Sequence, residues 1–466
     1  MPRKAFASGF ADERRVSAKR DDPLRSLWKR PASIFVLCFV AVDLLGAGLL
    51  MLPAAHARGS GLGFVDALFT STTALAVCGL SVIDLGAELS VFGQLVVLVL
   101  IQIGGIGIMT LASVLGVVVI HRFGLRMQLS VQAETRALQV GDVRGVVGRI
   151  VLASLLCEAA VAAVLVPRFW LEHGMAPHLA LYRGVFHSVS SFNNAGLSLF
   201  TDSLTRFAAD PLVVLPAALG TVLGGLGFPV LLELRRHLRR PRKWTLHTKL
   251  TVVTTSLLFL MGAVAVTLLE WNNPATLGQM SWWQRILDGT FHGVMPRSGG
   301  FNVIDVGEMN QATLMVVMML MFVGGGSAGT AGGIKVATLA VIFLVVWAEI
   351  RGNPQVHVFG RKLSPGVIRQ SLSLLFLSMT VVVLSTVALL AATSYDLVRI
   401  LFEVISASAV VGLSTGITPD LPPAAHILLV VLMVAGRIGP VTFAAALALR
   451  ERTKRYDLPE SRPIIG

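Results

Sequence analysis

Four segments of this chain are too apolar for water and too short to cross a bilayer, a combination few folds can accommodate. The first, roughly residues 64–75, holds about a dozen residues, whereas a spanning helix needs about 20. It runs into Leu-Ala-Val-Cys-Gly-Leu at 75–80. A segment of that length which enters a membrane must leave by the same face. Non-helical backbone at that depth is tolerated only where it is buried in protein or lines a wet cavity. Taken singly, a short apolar run ending in glycine is more often an ordinary helix end.

The arrangement recurs. Short segments near 181–191, 286–295 and 397–408 precede Phe-Asn-Asn-Ala-Gly (192–196), Arg-Ser-Gly-Gly (297–300) and Val-Val-Gly-Leu-Ser (410–414). The glycines in these turns, Gly79, Gly196, Gly300 and Gly412, lie 104 to 117 residues apart. Longer apolar runs flank each segment. With 54% hydrophobic and 14% charged residues and a mean hydropathy of +0.75, the chain fits an integral membrane protein and not a soluble α/β enzyme.

The expected fold is all-α and integral to the membrane. Four pseudo-symmetric units, each span, pore helix, span, surround a central pore, giving eight transmembrane helices and four re-entrant loops. The units cover 32–120, 146–234, 250–348 and 370–450, with polar tails at 1–31 and 451–466. The 1–31 tail has no cleavable signal pattern and is expected to be poorly ordered. The fourth span is expected to run from 212 to 232. Periods near 110 residues exceed those of solenoids, so the pattern is duplication about an axis. A second echo keeps the same register: Gly104-Gly-Ile-Gly, Gly224-Gly-Leu-Gly and Gly436-Arg-Ile-Gly follow their turn glycines by 24 to 28 residues. Close helix packing through small residues explains any one of these alone. It does not explain their shared offset.

Charge sets the orientation. The tails and one set of connectors hold 30 Lys/Arg against 11 Asp/Glu; the other side holds seven Arg, no Lys and 13 Asp/Glu. The positive-inside rule puts both termini in the cytoplasm of a multi-pass cell-membrane protein. The net charge of +13 is thereby accounted for without nucleic acid. All four re-entrant segments then open outward. Asp66, Asp84, Glu88, Asp202, Asp305, Glu308, Glu403 and Asp420 lie near the expected mouths. They would concentrate cations, although each taken singly reads as a solvated loop carboxylate. Cys38 and Cys157 are expected to be inert core residues.

A short helix aimed at the axis points the negative end of its dipole there, about half an elementary charge. The turn after it can direct backbone carbonyls inward to replace the hydration shell of a K⁺-sized cation. The residues expected to line this filter are Ala76, Val77, Cys78 and Gly79; Asn193, Asn194, Ala195 and Gly196; Ser298, Gly299 and Gly300; and Val410, Val411 and Gly412. One glycine per copy, instead of the two in a TVGYG filter, leads us to expect moderate K⁺ over Na⁺ discrimination. The third unit carries Gly324, Gly325, Gly326, Ser327, Gly329, Gly332, Gly333 and Lys335 in one stretch, too glycine-rich for a helix. It reads as a mobile loop below the filter. Arg437 lies mid-span, where a charge costs about 3 kcal/mol on insertion scales. It either forms a constriction with that loop or staples helix ends through the loop's carbonyls. Asp43 and Glu158 are further intramembrane charges, with Lys335 and Arg437 as candidate partners.

These residues resemble the Trk/Ktr/HKT superfamily of potassium transporters over about 32–450. The matches are FHSVSSFNNAGLS (186–198), PRSGGFN (296–302), FEVISASAVVGLSTG (402–416), the GGGSAGTAGGIK loop (324–335) and GRIGP (436–440). The resemblance implies uptake of K⁺, commonly Na⁺-stimulated, with no bound cofactor. It also implies a homodimer docked on a cytosolic ring of nucleotide-binding, KtrA-like regulatory subunits, and an intramembrane loop gate opposed by Arg437. With no extra N-terminal helix pair, the chain is more similar to the KtrB branch. It departs from the family at Ala76 and Cys78, where Thr is usual, and at Gly299, where Ala is common. Cys78 is expected to be open to thiol reagents.

Other readings compete. A less selective K⁺/Na⁺ channel would share this architecture. Gly325-Gly-Ser327-Ala-Gly329 matches the GxSxG nucleophile elbow, which requires a strand-turn-helix context and a histidine base. A scaffold acting through basic inner loops would explain the charge but not the four glycines. No Walker sequence appears, so ATP hydrolysis within this chain is not expected; as a transporter, the chain is not expected to be an enzyme.

Overall fold

The computed structural model describes residues 31–57, 61–122 and 143–448. The 1–31 tail except its last residue, most of the basic 121–149 connector and the C-terminal tail lie outside the described residues. The chain divides into two units, Met1–Val42 and Asp43–Gly466. The described part of the first is the opening stretch of α1 (Pro31–Leu50). The second holds everything that follows.

Helix starts follow local chemistry. Before α5 (Pro177–Phe192), α6 (Pro211–Leu226) and α12 (Pro365–Ala392) the chain supplies proline, which lacks the N–H a first turn cannot satisfy. Asp210, Thr245 and Ser364 accept hydrogen bonds from free N–H groups at the starts of α6, α8 (Leu246–Glu270) and α12. Ser281 and Gln284 form a capping box on α9 (Trp282–Val294).

Four short helices stand where the short apolar segments were expected: α2 (Phe64–Ala76), α5, α9 and α13 (Leu397–Ala409). Their C-terminal halves are buried nearly without exception. The long helices are the reverse. Outward faces of α8 and α12 expose Leu257, Leu260, Met261, Leu268, Phe376, Met379, Leu384 and Val387, an apolar surface no water-soluble monomer sustains. Among the described residues, four helices are long and apolar enough to cross a membrane: Val91–Leu111, Gly145–Leu171, Leu246–Glu270 and Pro365–Ala392. Cys38 and Cys157 are exposed and half-buried, not core residues, because a membrane helix buries one stripe and turns its other apolar side chains outward.

The short helices pack against long ones within each unit: α2 on α3 (Val91–Arg122), α5 on α4 (Val143–Leu171) and α6, α9 on α8, and α13 on α12 and α14 (Pro423–Ala448). Contacts between units run in a ring. They join α3 to α5, α6 to α9, α10 (Gln311–Phe322) to α13, and α14 back to α2.

The segment expected to span at 212–232 is bent within its length. The helix stops at Leu226, Gly227 takes φ 91°, and α7 (Phe228–His237) departs at 102°. Backbone packing causes the break. A Cβ on Gly227 would meet the Ser327 carbonyl and lie 3.2 Å from Gly329 N, while Phe228 N donates to Ala328 O (3.2 Å). The glycine-rich stretch occupies the corner. It joins α10 to α11 (Val336–Ile350), and the chain then forms a small hairpin, β1 (His357–Val358) with β2 (Arg361–Lys362).

Gly227→Ala should lower stability by at least about 1–2 kcal/mol, the penalty for an L-residue forced into left-handed backbone, read as a fall in Tm in detergent. An unchanged Tm would show that this bend does not depend on glycine.

Candidate functional site

The four turns share one backbone pattern. Each glycine has positive φ: 109° at Gly79, 64° at Gly196, 72° at Gly300 and 93° at Gly412. So has the residue two before it: Val77 (58°), Asn194 (62°), Ser298 (71°) and Val410 (57°). The residue between does not. In an extended strand successive carbonyls point to opposite sides; alternating the sign of φ turns them to one side. A β-branched residue with positive φ is an outlier, and such strain costs of order 1–3 kcal/mol and gathers at functional sites. Val77 and Val410, both expected in the filter, are therefore informative, and nothing in the sequence marks their positive φ.

The N–H groups of the turns point back into their helices. Cys78 N donates to Thr73 O (2.8 Å), Ala195 N to Ser190 O (2.7 Å), Gly299 N to Met295 O (2.8 Å) and Val411 N to Ser406 O (2.9 Å). Thr73 Oγ1 and Ser406 Oγ take Gly79 N and Gly412 N at 3.0 and 3.1 Å. Ser298 Oγ donates to Val410 O (2.8 Å), while the carbonyls of Cys78, Ala195, Gly299 and Val411 meet the neighbouring turns.

These four carbonyls each face the glycine of a neighbouring turn, around a ring. A Cβ on Gly79 would lie 2.6 Å from Ala195 O; on Gly196, 3.0 Å from Gly299 O; on Gly300, 2.9 Å from Val411 O. On Gly412 it would collide with Cys78 O. Each turn glycine thus abuts the carbonyl preceding the next turn's glycine, and the fourth returns to the first. These glycines are required by close approach as well as by φ.

Side chains of the expected filter residues behave differently from one another. Cys78 is fully buried with Sγ 3.9 Å from Ser406 O, which corrects the expected access to thiol reagents: the ring of backbones covers it. Asn193 caps α5, and its amide nitrogen, with two hydrogens to give, lies 3.0 Å from each of Gln102 Oε1, Glu158 Oε1 and Val189 O, away from the ring. Glu158 also takes Gln102 Nε2 at 3.0 Å, and Asp43 takes Thr72 Oγ1 at 2.8 Å. Neutral donors hold both carboxylates, so neither pairs with Lys335 or Arg437.

Outside the ring lies a cavity of about 670 Å³ whose wall includes all four glycines and Asp84, Glu88, Asp202 and Asp305. Glu403 is not a mouth carboxylate as expected; it is fully buried behind the fourth turn.

Below the ring runs the 323–335 loop. Thr330 Oγ1 donates to Asn194 Oδ1 (2.7 Å) and Gly332 N to Ser298 Oγ (3.0 Å). A Cβ on Gly332 would meet Ala409 O at 2.5 Å. Arg437 donates to Thr330 O, and through its second nitrogen to Gly104 O (3.3 Å). Loop and arginine together touch all four units, which places them across the axis. Arg297 was missed from the sequence as a member of this group. It is buried, donates to Gly324 O (2.8 Å) and Thr255 O (3.2 Å), and lies 4.7 Å over the Phe259 ring. Lys335 Nζ donates to Ala331 O (2.6 Å). Ser327 sits between two helices and lacks the strand-turn-helix setting of a nucleophile elbow.

The second glycine echo also has a physical cause. A Cβ on Gly104, Gly224 or Gly436 would strike the carbonyl of Leu75, Phe192 or Ser408, each four residues before its turn glycine. These glycines let α3, α6 and α14 approach the ends of the short helices.

Comparison with known proteins places this geometry. A family model described as "TrkH: Cation transport protein" matches residues 18–454. The chain is 36% identical to Ktr system potassium uptake protein B of Bacillus subtilis (strain 168), covering 95% of this chain and 98% of that one. It is also 36% identical to the protein of the same name from Vibrio alginolyticus, over 98% and 97%. Identity to the potassium/sodium uptake protein NtpJ of Enterococcus hirae is 30%, over 94% and 97%. The crystal structure of the potassium transporter TrkH from Vibrio parahaemolyticus superposes with a TM-score of 0.70 at 18% identity, covering 89% of this chain and 84% of that one, a likeness of fold.

In membranes carrying the Cys38→Ser and Cys157→Ser replacements, a charged methanethiosulfonate should modify Cys78 far more slowly than a thiol placed at Asp202 on the cavity wall. Equal rates would contradict the burial.

Proposed function

The chain belongs to the TrkH family of cation transport proteins, and from that premise we propose that it takes up K⁺ across the cell membrane, coordinating it with main-chain oxygens of the four turns. The ring of glycine backbones, each against the next turn's carbonyl, is the observation that carries this reading. Carbonyls turned to one side with their N–H partners already used can replace a hydration shell, and their number and field set selectivity. The C-terminal ends of α2, α5, α9 and α13 add negative dipole potential. Four acidic residues on the outer cavity raise the local cation concentration. The filter is formed by Val77, Cys78 and Gly79, Asn194, Ala195 and Gly196, Ser298 to Gly300, and Val410 to Gly412, with Ala76 and Asn193 serving at the helix ends.

The loop and Arg437 are the gate in its closed position. A buried guanidinium below the ring repels the cation while its two carbonyl contacts hold the loop across the path. The chain crosses the membrane with eight spans and cytoplasmic termini, as a homodimer. The relatives' name, protein B of a Ktr system, supports a partner component, and we assign that role to a nucleotide-binding cytosolic ring facing the basic inner connectors. Na⁺ stimulation accompanies uptake in this reading. A second reading, a less selective K⁺/Na⁺ pathway of the same architecture, is favoured by the Enterococcus relative's name.

Expressed in a cell lacking its own K⁺ uptake, the wild type should restore growth at low K⁺. Gly79→Ala, Gly196→Ala, Gly300→Ala and Gly412→Ala should each abolish it, whereas Gly107→Ala, where a Cβ meets nothing within 4 Å, should not. Retained uptake in all four variants would refute the main-chain filter. For the gate, hydrogen bonds from a charged group contribute about 1.5–3 kcal/mol each, so Arg437→Ala should raise flux through purified protein by roughly tenfold or more. Unchanged flux would reduce Arg437 to a staple between helices.

A further inference from the structure

Each short helix carries a buried phenylalanine, ten residues before the turn glycine at Phe69, Phe186 and Phe402 and nine before it at Phe291. The residue after it is polar in every unit: Thr70, His187, His292 and Glu403, all buried. In three units that residue reaches the strand leaving the turn. His187 Nε2 lies 3.0 Å from Ser198 Oγ. His292 Nε2 accepts from Val303 N (3.1 Å) and Ile304 N (3.2 Å).

Glu403 makes the densest of these attachments. Its Oε1 accepts from Ser414 Oγ (2.7 Å), Thr415 N (2.9 Å) and Thr415 Oγ1 (3.2 Å), and its Oε2 from Thr418 Oγ1 (2.8 Å). Every bond runs inward to an acceptor, and only a side chain with two free oxygens on one carbon can take all four. Ser414 lies two residues beyond Gly412 in the fourth turn. Thr70, by contrast, has no partner for its hydroxyl.

We propose that Glu403 is a positioning residue for ion discrimination: from behind, it fixes the strand that leaves the fourth turn and so the placement of the Val411 and Gly412 carbonyls. This rests on the K⁺ reading of the four turns. Selectivity depends on carbonyls held at a set spacing. A strand freed at 414–418 lets the ring widen or narrow to suit either ion. Glu403 acts by where its oxygens sit, not by lending charge to the ion, since its carboxylate is spent on four donors.

The test uses the full chain in the uptake-deficient cell, measuring the ratio of K⁺ to Na⁺ uptake along with membrane expression. Glu403→Ala should lower that ratio roughly tenfold, the lower end of what outer-shell partners of metal sites contribute, with total cation uptake persisting. Glu403→Gln keeps an oxygen for Ser414 and Thr415 and should restore most of the ratio. Thr70→Val should leave it unchanged. Should Glu403→Ala fail to reach the membrane, Ser414→Ala with Thr418→Val removes the donors instead and should lower the ratio in the same direction. An unaltered ratio in Glu403→Ala, or in the double variant if that alone is expressed, overturns the proposal. A ratio lost as fully in Glu403→Gln as in Glu403→Ala also overturns it, by showing that charge matters and position does not. Absence of K⁺ uptake by the wild type would instead refute the underlying reading of the turns.

Discussion

Everything in this molecule is arranged so that four stretches of backbone can meet where no side chain fits. A Cβ on Gly196 would stand 2.5 Å from Gly300 Cα, and one on Gly300 2.7 Å from Gly196 Cα. Each turn glycine also meets the carbonyl oxygen of a neighbouring turn. The constraint extends to Val77 and Val410, held in left-handed backbone that β-branched residues avoid. Such a centre persists only if the surroundings over-determine it.

The surroundings do so in layers. Helix ends take the N–H groups of the turns, so the peptide planes cannot rotate freely. The polar side chain after the buried phenylalanine of three short helices holds the segment leaving the turn on the far side. Underneath, Gly104, Gly224 and Gly436 admit the long helices against the short helix ends. The third unit lacks that inner-helix contact. There the chain unwinds into the 323–335 loop, whose ends are joined by Gly324 N to Ile334 O (2.9 Å) and whose middle is held by Arg437. Symmetry is broken at the loop proposed as the gate.

Much of this was legible in the residues because two signals are hard to produce by chance. Apolar segments too short to span a bilayer, each closing on glycine at similar intervals, led to the four short helices and their turns. The shared offset of Gly104, Gly224 and Gly436 pointed to a common packing role, although which carbonyls they meet required coordinates. Other features were hidden for identifiable reasons. A valine gives no hint of positive φ, since its propensity argues against it. Gly227 lies in an apolar run that reads as one continuous helix, and only the loop packed into its corner bends it. Arg297 looked like part of an outer turn, but its long side chain reaches under the ring. Asn193 and Glu158 find a neutral partner in Gln102 of the first unit, and Asp43 in Thr72 of its own unit, pairings that no spacing within the chain could reveal.

The central claim is that main-chain oxygens of the four turns hold the passing ion on a common axis. Crystals or frozen grids of the protein with Tl⁺ in place of K⁺ test it most directly, by anomalous or difference density. The account predicts density between the carbonyls of Cys78, Ala195, Gly299 and Val411, replaced by that of K⁺ on exchange. Density confined to the acidic outer cavity, with none inside the ring, would contradict it.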